Sequence, residues 1–302
     1  MSIFGVYDGK MALNNAARDS EKHTELTGDL RENLQNTLLG MYVDLKKVCD
    51  RYNLKAYLCG GSALGCVRHG GFIPWDDDLD VAMTRNDYNK LKVVFAAELG
   101  DKYILNAPDI SEHPITRFPK ILKKGTRFVN YGGVYKPESS MIYLDIFLIE
   151  NIPNSLLIRT IKGVAANFCE AVSAQIEIKN GWSYLKDIYL KDNKLFAYMK
   201  YYAGFICSAL PYEKWLKIID RLIQHRNDNS EYCGLVTGRK HYFGEILKRE
   251  AFFPGTVGVF AGHEADLFQN TDEYLTNLYG EDYMTPPPIE KRECHYITEL
   301  VL

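Results

Sequence analysis

Residues 60–83 read Gly-Gly-Ser-Ala-Leu-Gly-Cys-Val-Arg-His-Gly-Gly-Phe-Ile-Pro-Trp-Asp-Asp-Asp-Leu-Asp-Val-Ala-Met. The segment sets a glycine turn ahead of a run with four carboxylates, Asp76, Asp77, Asp78 and Asp80. Clustered anions repel one another, so a fold that keeps them together calls for a cation. Side chains two apart on a strand share a face. The spacing therefore predicts a strand over 78–83, with Asp78 and Asp80 on one side and Leu79 and Val81 towards the core. Asp77 has the opposite parity and is expected to stabilise the loop.

A further carboxylate interrupts an apolar run in Leu144-Asp145-Ile146. A lone Asp inside a buried strand is costly unless it is paired or bound to metal. If the strand expected over 140–149 lies beside 78–83, Asp145 completes a three-carboxylate site. Hard oxygen ligands of this kind suit Mg²⁺ or Mn²⁺. Asp76 is either a further ligand or the group that orients a metal-bound water. Ahead of them, Gly60 and Gly61 let backbone N–H groups approach a phosphate at the start of a short helix, and Ser62 adds a hydroxyl. Each feature alone has a plain explanation: a turn, a solvated acidic loop, a strand-end residue bonded to backbone. Together, in this order, they form the pattern of a nucleotidyltransferase.

The composition sets outer limits. At 302 residues, 46% hydrophobic, the chain can bury a substantial core without staples. A net charge of -3 gives no broad basic field and argues against general nucleic-acid binding. The seven cysteines are odd in number and include no Cys-x-x-Cys, so neither a disulfide framework nor a zinc ribbon is expected. Reduced thiols point to the cytoplasm. No basic-then-apolar leader is read in residues 1–23, and no uncharged apolar run reaches the roughly 18 residues of a membrane span.

The apolar periodicity predicts an α/β core followed by helices. A polar N-terminal arm covers 1–27, a catalytic core 28–150, a helical region 151–230, and a C-terminal segment, 231–302, packs back on the core. Helices are expected over 28–51, 62–69, 87–99 (capped by Thr84 or Asn86), 156–178, 182–191, 195–210, 212–227 and 271–279. Strands are expected over 55–59, 103–107, 116–123 and 257–260, with a hairpin tip at Gly132-Gly133. The tyrosine-rich helices at 195–225, with Lys194, Lys200, Lys214 and Lys217, either form a buried subdomain or graze a membrane surface.

The stretch from Gly60 through Arg68-His69-Gly70-Gly71-Phe72-Ile73-Pro74-Trp75 to Val81 resembles the LicD family, which includes phosphocholine transferases of bacterial surface glycans and, more distantly, fukutin-related transferases. Leu144-Asp145-Ile146-Phe147 continues the match, as do Tyr279-Gly280, Pro286-Pro287, Lys291-Arg292 and His295 near the end. The resemblance implies a nucleotidyltransferase-like mixed sheet with flanking helices and a helical insertion. It also implies transfer of a phospho-alcohol, phosphocholine first, from CDP-choline, CDP-ribitol or CDP-glycerol to a glycan hydroxyl, with release of CMP. The glycan is one of the cell surface, such as lipopolysaccharide, teichoic acid or capsule, and is lipid-linked if transfer occurs at the inner face of the membrane.

By motif position Asp78, Asp80 and Asp145 hold the metal, and Gly61 and Ser62 touch donor phosphate. Arg68 reaches a phosphate or forms a surface salt bridge, and Lys120 neutralises donor phosphate or snorkels from the sheet. His69 and His295 are candidates for the general base, against ordinary packing or surface roles. Trp75 stacks on a base or on choline, or simply packs. Two other functions use the same residues: a nucleotidyltransferase that moves a nucleoside monophosphate from an NTP, and a non-catalytic scaffold for nucleotide or divalent ion.

Overall fold

The computed structural model describes residues 24–130, 140–192, 194–227, 229–289, 292 and 296–302. Strand β1 (Thr24–Glu25) leads into helix α1 (Gly28–Arg51). Leu34, Leu38, Met41, Tyr42, Leu45 and Val48 recur at helical steps and are buried, which gives α1 one apolar stripe. Strand β2 (Tyr57–Leu58), helix α2 (Gly60–His69), strand β3 (Asp80–Thr84) and helix α3 (Arg85–Glu98) follow. Of the two expected caps it is Thr84 that serves, its hydroxyl accepting the Asp87 N–H at 3.0 Å. Strands β4 (Tyr103–Asn106), β5 (Lys120–Lys123), β6 (Arg127–Asn130) and β7 (Tyr143–Ile152) come next. Helices α4 (Leu156–Asp192), α5 (Lys194–Cys207) and α6 (Tyr212–Ile223) form the middle of the chain. The last part alternates β8 (Tyr232–Gly234), α7 (His241–Gly244), β9 (Ile246–Lys248), α8 (Arg249–Phe252), β10 (Thr256–Phe260), β11 (His263–Leu267), α9 (Thr271–Tyr279) and β12 (Tyr296–Val301).

Among the described residues the main sheet has nine strands, ordered β10-β11-β2-β3-β7-β5-β4, with β8 on the far end of β7 and β9 beside β8. The β3–β7 and β11–β2 pairs are parallel and the others antiparallel. The fold is thus the expected mixed α/β type, and a separate small sheet joins β1, β12 and β6.

Several boundaries differ from the expectations, three of them with a visible cause. The acidic strand begins at Asp80, leaving Asp78 in the preceding loop. The strand expected over 116–123 shortens to Lys120–Lys123 after Pro119, which has no N–H for a ladder. The two helices expected over 156–178 and 182–191 are one, α4. On either side of Gly181, Lys179 donates to the Ser208 hydroxyl and Trp182 stacks on Tyr201, so contact with α5 offsets the roughly 1 kcal/mol cost of a helical glycine. The strands β1, β6, β8, β9, β11 and β12 are not among those expected, and residues 1–23 and the Gly132-Gly133 tip lie outside the described residues.

A large core joins α1, the sheet and α9, and a smaller one packs α4 and α6 around Val236 and Tyr242. Arg85 connects them. Its guanidinium donates to Glu150 on β7 (Nε, 2.9 Å) and to Asp220 on α6 (Nη1, 2.8 Å). Both carboxylates are buried, and burial pushes the Glu150 carboxyl up while Arg85 pulls it down. Removing one partner from a buried ionic cluster costs about 3–5 kcal/mol. Arg85→Ala should therefore lose roughly that much stability in urea denaturation at pH 8. Without the cation the Glu150 carboxyl rises further above its ordinary 4.5, so the deficit should shrink as pH falls towards 5.

Candidate active site

The parallel β3–β7 pairing sets Asp80 directly opposite Asp145, so the two carboxylates stand side by side on one face of the sheet. The register expected of the acidic residues is present. Asp145 is also opposite Lys120 on β5, and the buried Lys120 ammonium binds its carboxylate while lying 3.5 Å from the centre of the Tyr143 ring. In the loop before β3, Asp76, Asp77 and Asp78 each bring one oxygen within 4.8 Å of the others. Asp77 was set apart by strand parity, but the loop is not yet a strand, so alternation does not apply and Asp77 joins the group. Asp80 feels the crowding: burial, then Asp78, Asp145 and Asp76, push its carboxyl well above the usual range, with Lys120 opposing. A set of hard oxygen donors this dense fits a divalent cation such as Mg²⁺ or Mn²⁺.

The glycine turn is shaped around these carboxylates. Gly60 has φ +52°, and a Cβ there would stand 3.1 Å from an Asp80 oxygen. A Cβ on Gly61 would come within 2.8 Å of Asp76 Oδ2. The Ser62 hydroxyl is buried and accepts the Asp80 N–H at 2.8 Å, which ties α2 to β3. The Gly60 N–H donates to the Tyr274 hydroxyl, and no side chain caps the start of α2. Gly60, Gly61 and Ser62 thus position Asp76 and Asp80 at a helix N-terminus.

Asp76, Asp78 and Asp80 open into a cleft of about 810 Å³. Four arginines line it: Arg68, Arg117, Arg239 and Arg292. Arg68 donates to the Tyr283 carbonyl (2.7 Å) and Arg117 to the Thr237 carbonyl (3.1 Å). Arg292 lies over the Trp75 ring, its guanidinium carbon 4.2 Å from the centroid, and Arg68 is 5.9 Å from the same ring. Trp75 therefore stacks on guanidinium groups and holds two of the arginines. Phe118 and Tyr279 add aromatic wall, and the buried Glu245 accepts the Lys240 N–H at 3.1 Å. Burial raises the Glu245 carboxyl above its usual range.

The remaining candidates separate. Lys120 and Asp145, bonded to each other, are not among the residues that line the cleft. His69 does not line the cleft: it packs edge-on against Trp75, and its Nε2 accepts from Arg68 Nε at 2.9 Å. Burial first, then the cations of Arg68 and Arg292, lower its pKa and favour the neutral ring that can accept this bond. His295 and Lys291 lie outside the described residues. Sequence reasoning missed Arg117, Arg239, Glu245 and Arg292 as site residues, the last being read only as part of the family-like tail. Arg117 adjoins the Phe118-Pro119-Lys120 run, whereas Arg239 and Glu245 fall in a stretch with no periodic signal.

Comparison with known proteins bears on the same region. Residues 53–151 match the model for the LicD/FKTN/FKRP nucleotidyltransferase domain, a span that contains every acidic residue of the cluster. The chain is similar to the lipopolysaccharide cholinephosphotransferase LicD of Haemophilus influenzae, with 28% identity over 266 residues, covering 83% of this chain and 90% of that protein. Shorter similarities, 37% over 51 residues and 17% of this chain, link it to uncharacterised proteins of Rickettsia prowazekii and Rickettsia typhi, of which they cover 19% and 16%. The resemblance to the LicD family is thus matched by its nucleotidyltransferase domain over residues 53–151, the span that carries the acidic cluster, and by similarity to a LicD protein over most of the chain.

Proposed function

We propose that this protein is a transferase that moves phosphocholine, or a closely related phospho-alcohol, from a CDP-activated donor to a hydroxyl of a cell-surface glycan or its precursor, releasing CMP. The observation that carries the reading is the cleft that Asp76, Asp78 and Asp80 line together with four arginines. The similarity to a lipopolysaccharide cholinephosphotransferase over most of both chains supports the choice of choline phosphate and of a glycan acceptor.

The carboxylates and arginines of the cleft suit the diphosphate of such a donor. A diphosphate needs cations on its oxygens, and arginine guanidinium groups bind it in bidentate fashion. Arg68 and Arg292, steadied by Trp75, and Arg117, anchored on the Thr237 carbonyl, are held before any ligand arrives, so little ordering is needed on binding. Asp76, Asp78, Asp80 and Asp145 would hold Mg²⁺ or Mn²⁺, which when bound neutralises phosphate charge as the P–O bond breaks. Lys120 binds the Asp145 carboxylate, and Ser62 fixes the Asp80 backbone. Asp80 and Asp145 are thereby set in place by the sheet rather than by the ion. We assign the reaction to the cytoplasmic side of the membrane, where CDP-activated donors are available to a chain with no membrane-spanning helix among its described residues.

With CDP-choline, Mg²⁺ and a lipopolysaccharide-type acceptor, the protein should release CMP, and EDTA should abolish the release. CDP-ribitol and CDP-glycerol test the breadth of the donor site. Pyrophosphate release from an NTP in its place would overturn the reading. Asp78→Asn should lower kcat on the order of 100-fold or more while the far-UV circular dichroism is unchanged. Arg239→Gln and Arg292→Gln should instead raise the donor KM, roughly tenfold each, if one charge-assisted contact of about 1.5 kcal/mol is lost. An unchanged KM in both would remove the arginines from the donor site.

A further inference from the structure

Two helices outside the cleft leave long apolar stripes in solvent. On the first half of α4, Leu157, Ile161, Val164 and Phe168 recur at steps of four, three and four. On α5, Leu195, Met199, Tyr202 and Ile206 repeat the same steps. All eight are between 58% and 80% exposed. Scattered apolar residues are ordinary on a surface, but contiguous patches beyond a few hundred Å² mark interaction sites.

The helix contacts show that the two stripes face the same side of the molecule. Gln175, Lys179 and Trp182 are the α4 residues that meet α5, at Gly204, Ser208 and Tyr201. Gln175 and Trp182 lie seven and fourteen residues beyond Phe168, so they occupy the same azimuth of α4 as the exposed stripe. α5 therefore covers the second half of that face and leaves the first half bare. On α5, Tyr201, Gly204 and Ser208 point at α4, while Leu195, Met199, Tyr202 and Ile206 fall about 125–175° round the helix, at 100° per residue, and point away from it. The opposite side of α4 is fixed to the body, since a Cβ on Gly163 would collide with Phe243 and Tyr242. The surface is thus a step one helix diameter high, about 10 Å.

We propose that this step docks on an anionic lipid bilayer, with α5 lying in the headgroup boundary. Interfacial helices bury their apolar faces about 5–10 Å deep, so α5 can enter the boundary while the α4 stripe rests at its surface. Charge selects the lipid. Helix α5 contains Lys194 and Lys200 and no Asp or Glu. Residues 156–226 hold eleven Lys and Arg against six Asp and Glu, within a chain whose net charge is -3. A basic, aromatic-rich helical unit is drawn to anionic headgroups, each lysine near the surface adding about 1 kcal/mol at low salt. Two copies of the same positive, stepped face would repel one another, which disfavours self-association through it.

Flotation with vesicles of phosphatidylglycerol and phosphatidylethanolamine tests the proposal. The full chain should bind these vesicles, and bind vesicles of phosphatidylcholine alone at least tenfold less. A triple change of Leu195, Met199 and Ile206 to Ser, all exposed and remote from the cleft, should reduce binding tenfold or more with circular dichroism and CMP release from CDP-choline and a soluble acceptor unchanged. Lys194→Glu with Lys200→Glu should weaken binding and lower its salt dependence. No binding to anionic vesicles would overturn the proposal, as would binding that survives the serine changes. A dimer in light scattering that the serine changes abolish, without vesicle binding, would assign the face to self-association instead.

Discussion

The pairing of β3 with β7 is the constraint on which the site depends. It sets Asp80 beside Asp145 within the hydrogen-bonded sheet, where neither can withdraw without breaking the ladder. The energetic consequence is visible in Asp80, whose carboxyl is driven upward by burial and by three neighbouring carboxylates. Lys120 answers part of this strain through its ammonium, while Ser62 fixes the Asp80 backbone. The cluster is held by backbone geometry, so its shape does not require a ligand to form it. Preorganised charge of this kind is what makes electrostatic catalysis effective, because no reorganisation is needed at the moment of reaction.

Around that cluster the chain gathers parts from distant positions. Helix α2 brings the glycine turn, the loop after β4 brings Arg117, the segment after β8 brings Arg239 and Glu245, and the tail brings Arg292. Tyr274 on α9 reaches back to the Gly60 N–H, so the C-terminal part of the chain closes one side of the turn. Arg85 links the sheet to α6 through buried carboxylates. The helical unit is thereby joined to the strand that carries Asp145, since Glu150 lies five residues further along β7. A membrane-facing α4–α5 step would connect through the same contacts to the cleft.

Much of this was legible in the residues themselves. The isolated Asp145 in an apolar run pointed to a strand beside the acidic one, and the β3–β7 pairing sets it opposite Asp80; the strand parity read for Asp78 does not apply, because Asp78 lies in the loop before β3. What periodicity could not give was the start of β3, because an extended loop and a strand look alike in sequence; Asp77 was set apart for that reason. The α4 helix was divided at Gly181, since local propensity carries no information about Tyr201 across the hairpin. Arg239 and Glu245 lie in a turn shaped by tertiary contacts, where a Cβ on Gly238 would meet Glu245 Oε1 at 2.3 Å. His69 shows the converse. A titratable residue next to a motif attracted a catalytic role, but its ring accepts from Arg68 and packs on Trp75.

The central claim is that these carboxylates share one divalent cation and present it to the arginine-lined cleft. A Mn²⁺ titration followed by electron paramagnetic resonance, with and without CDP-choline, tests it without any need for turnover. The account predicts saturable binding to the wild-type chain that tightens when CDP-choline is added, and a loss of at least about tenfold in affinity for Asp80→Asn. Equal Mn²⁺ affinity in the wild type and in Asp80→Asn, or binding indifferent to CDP-choline, would contradict it.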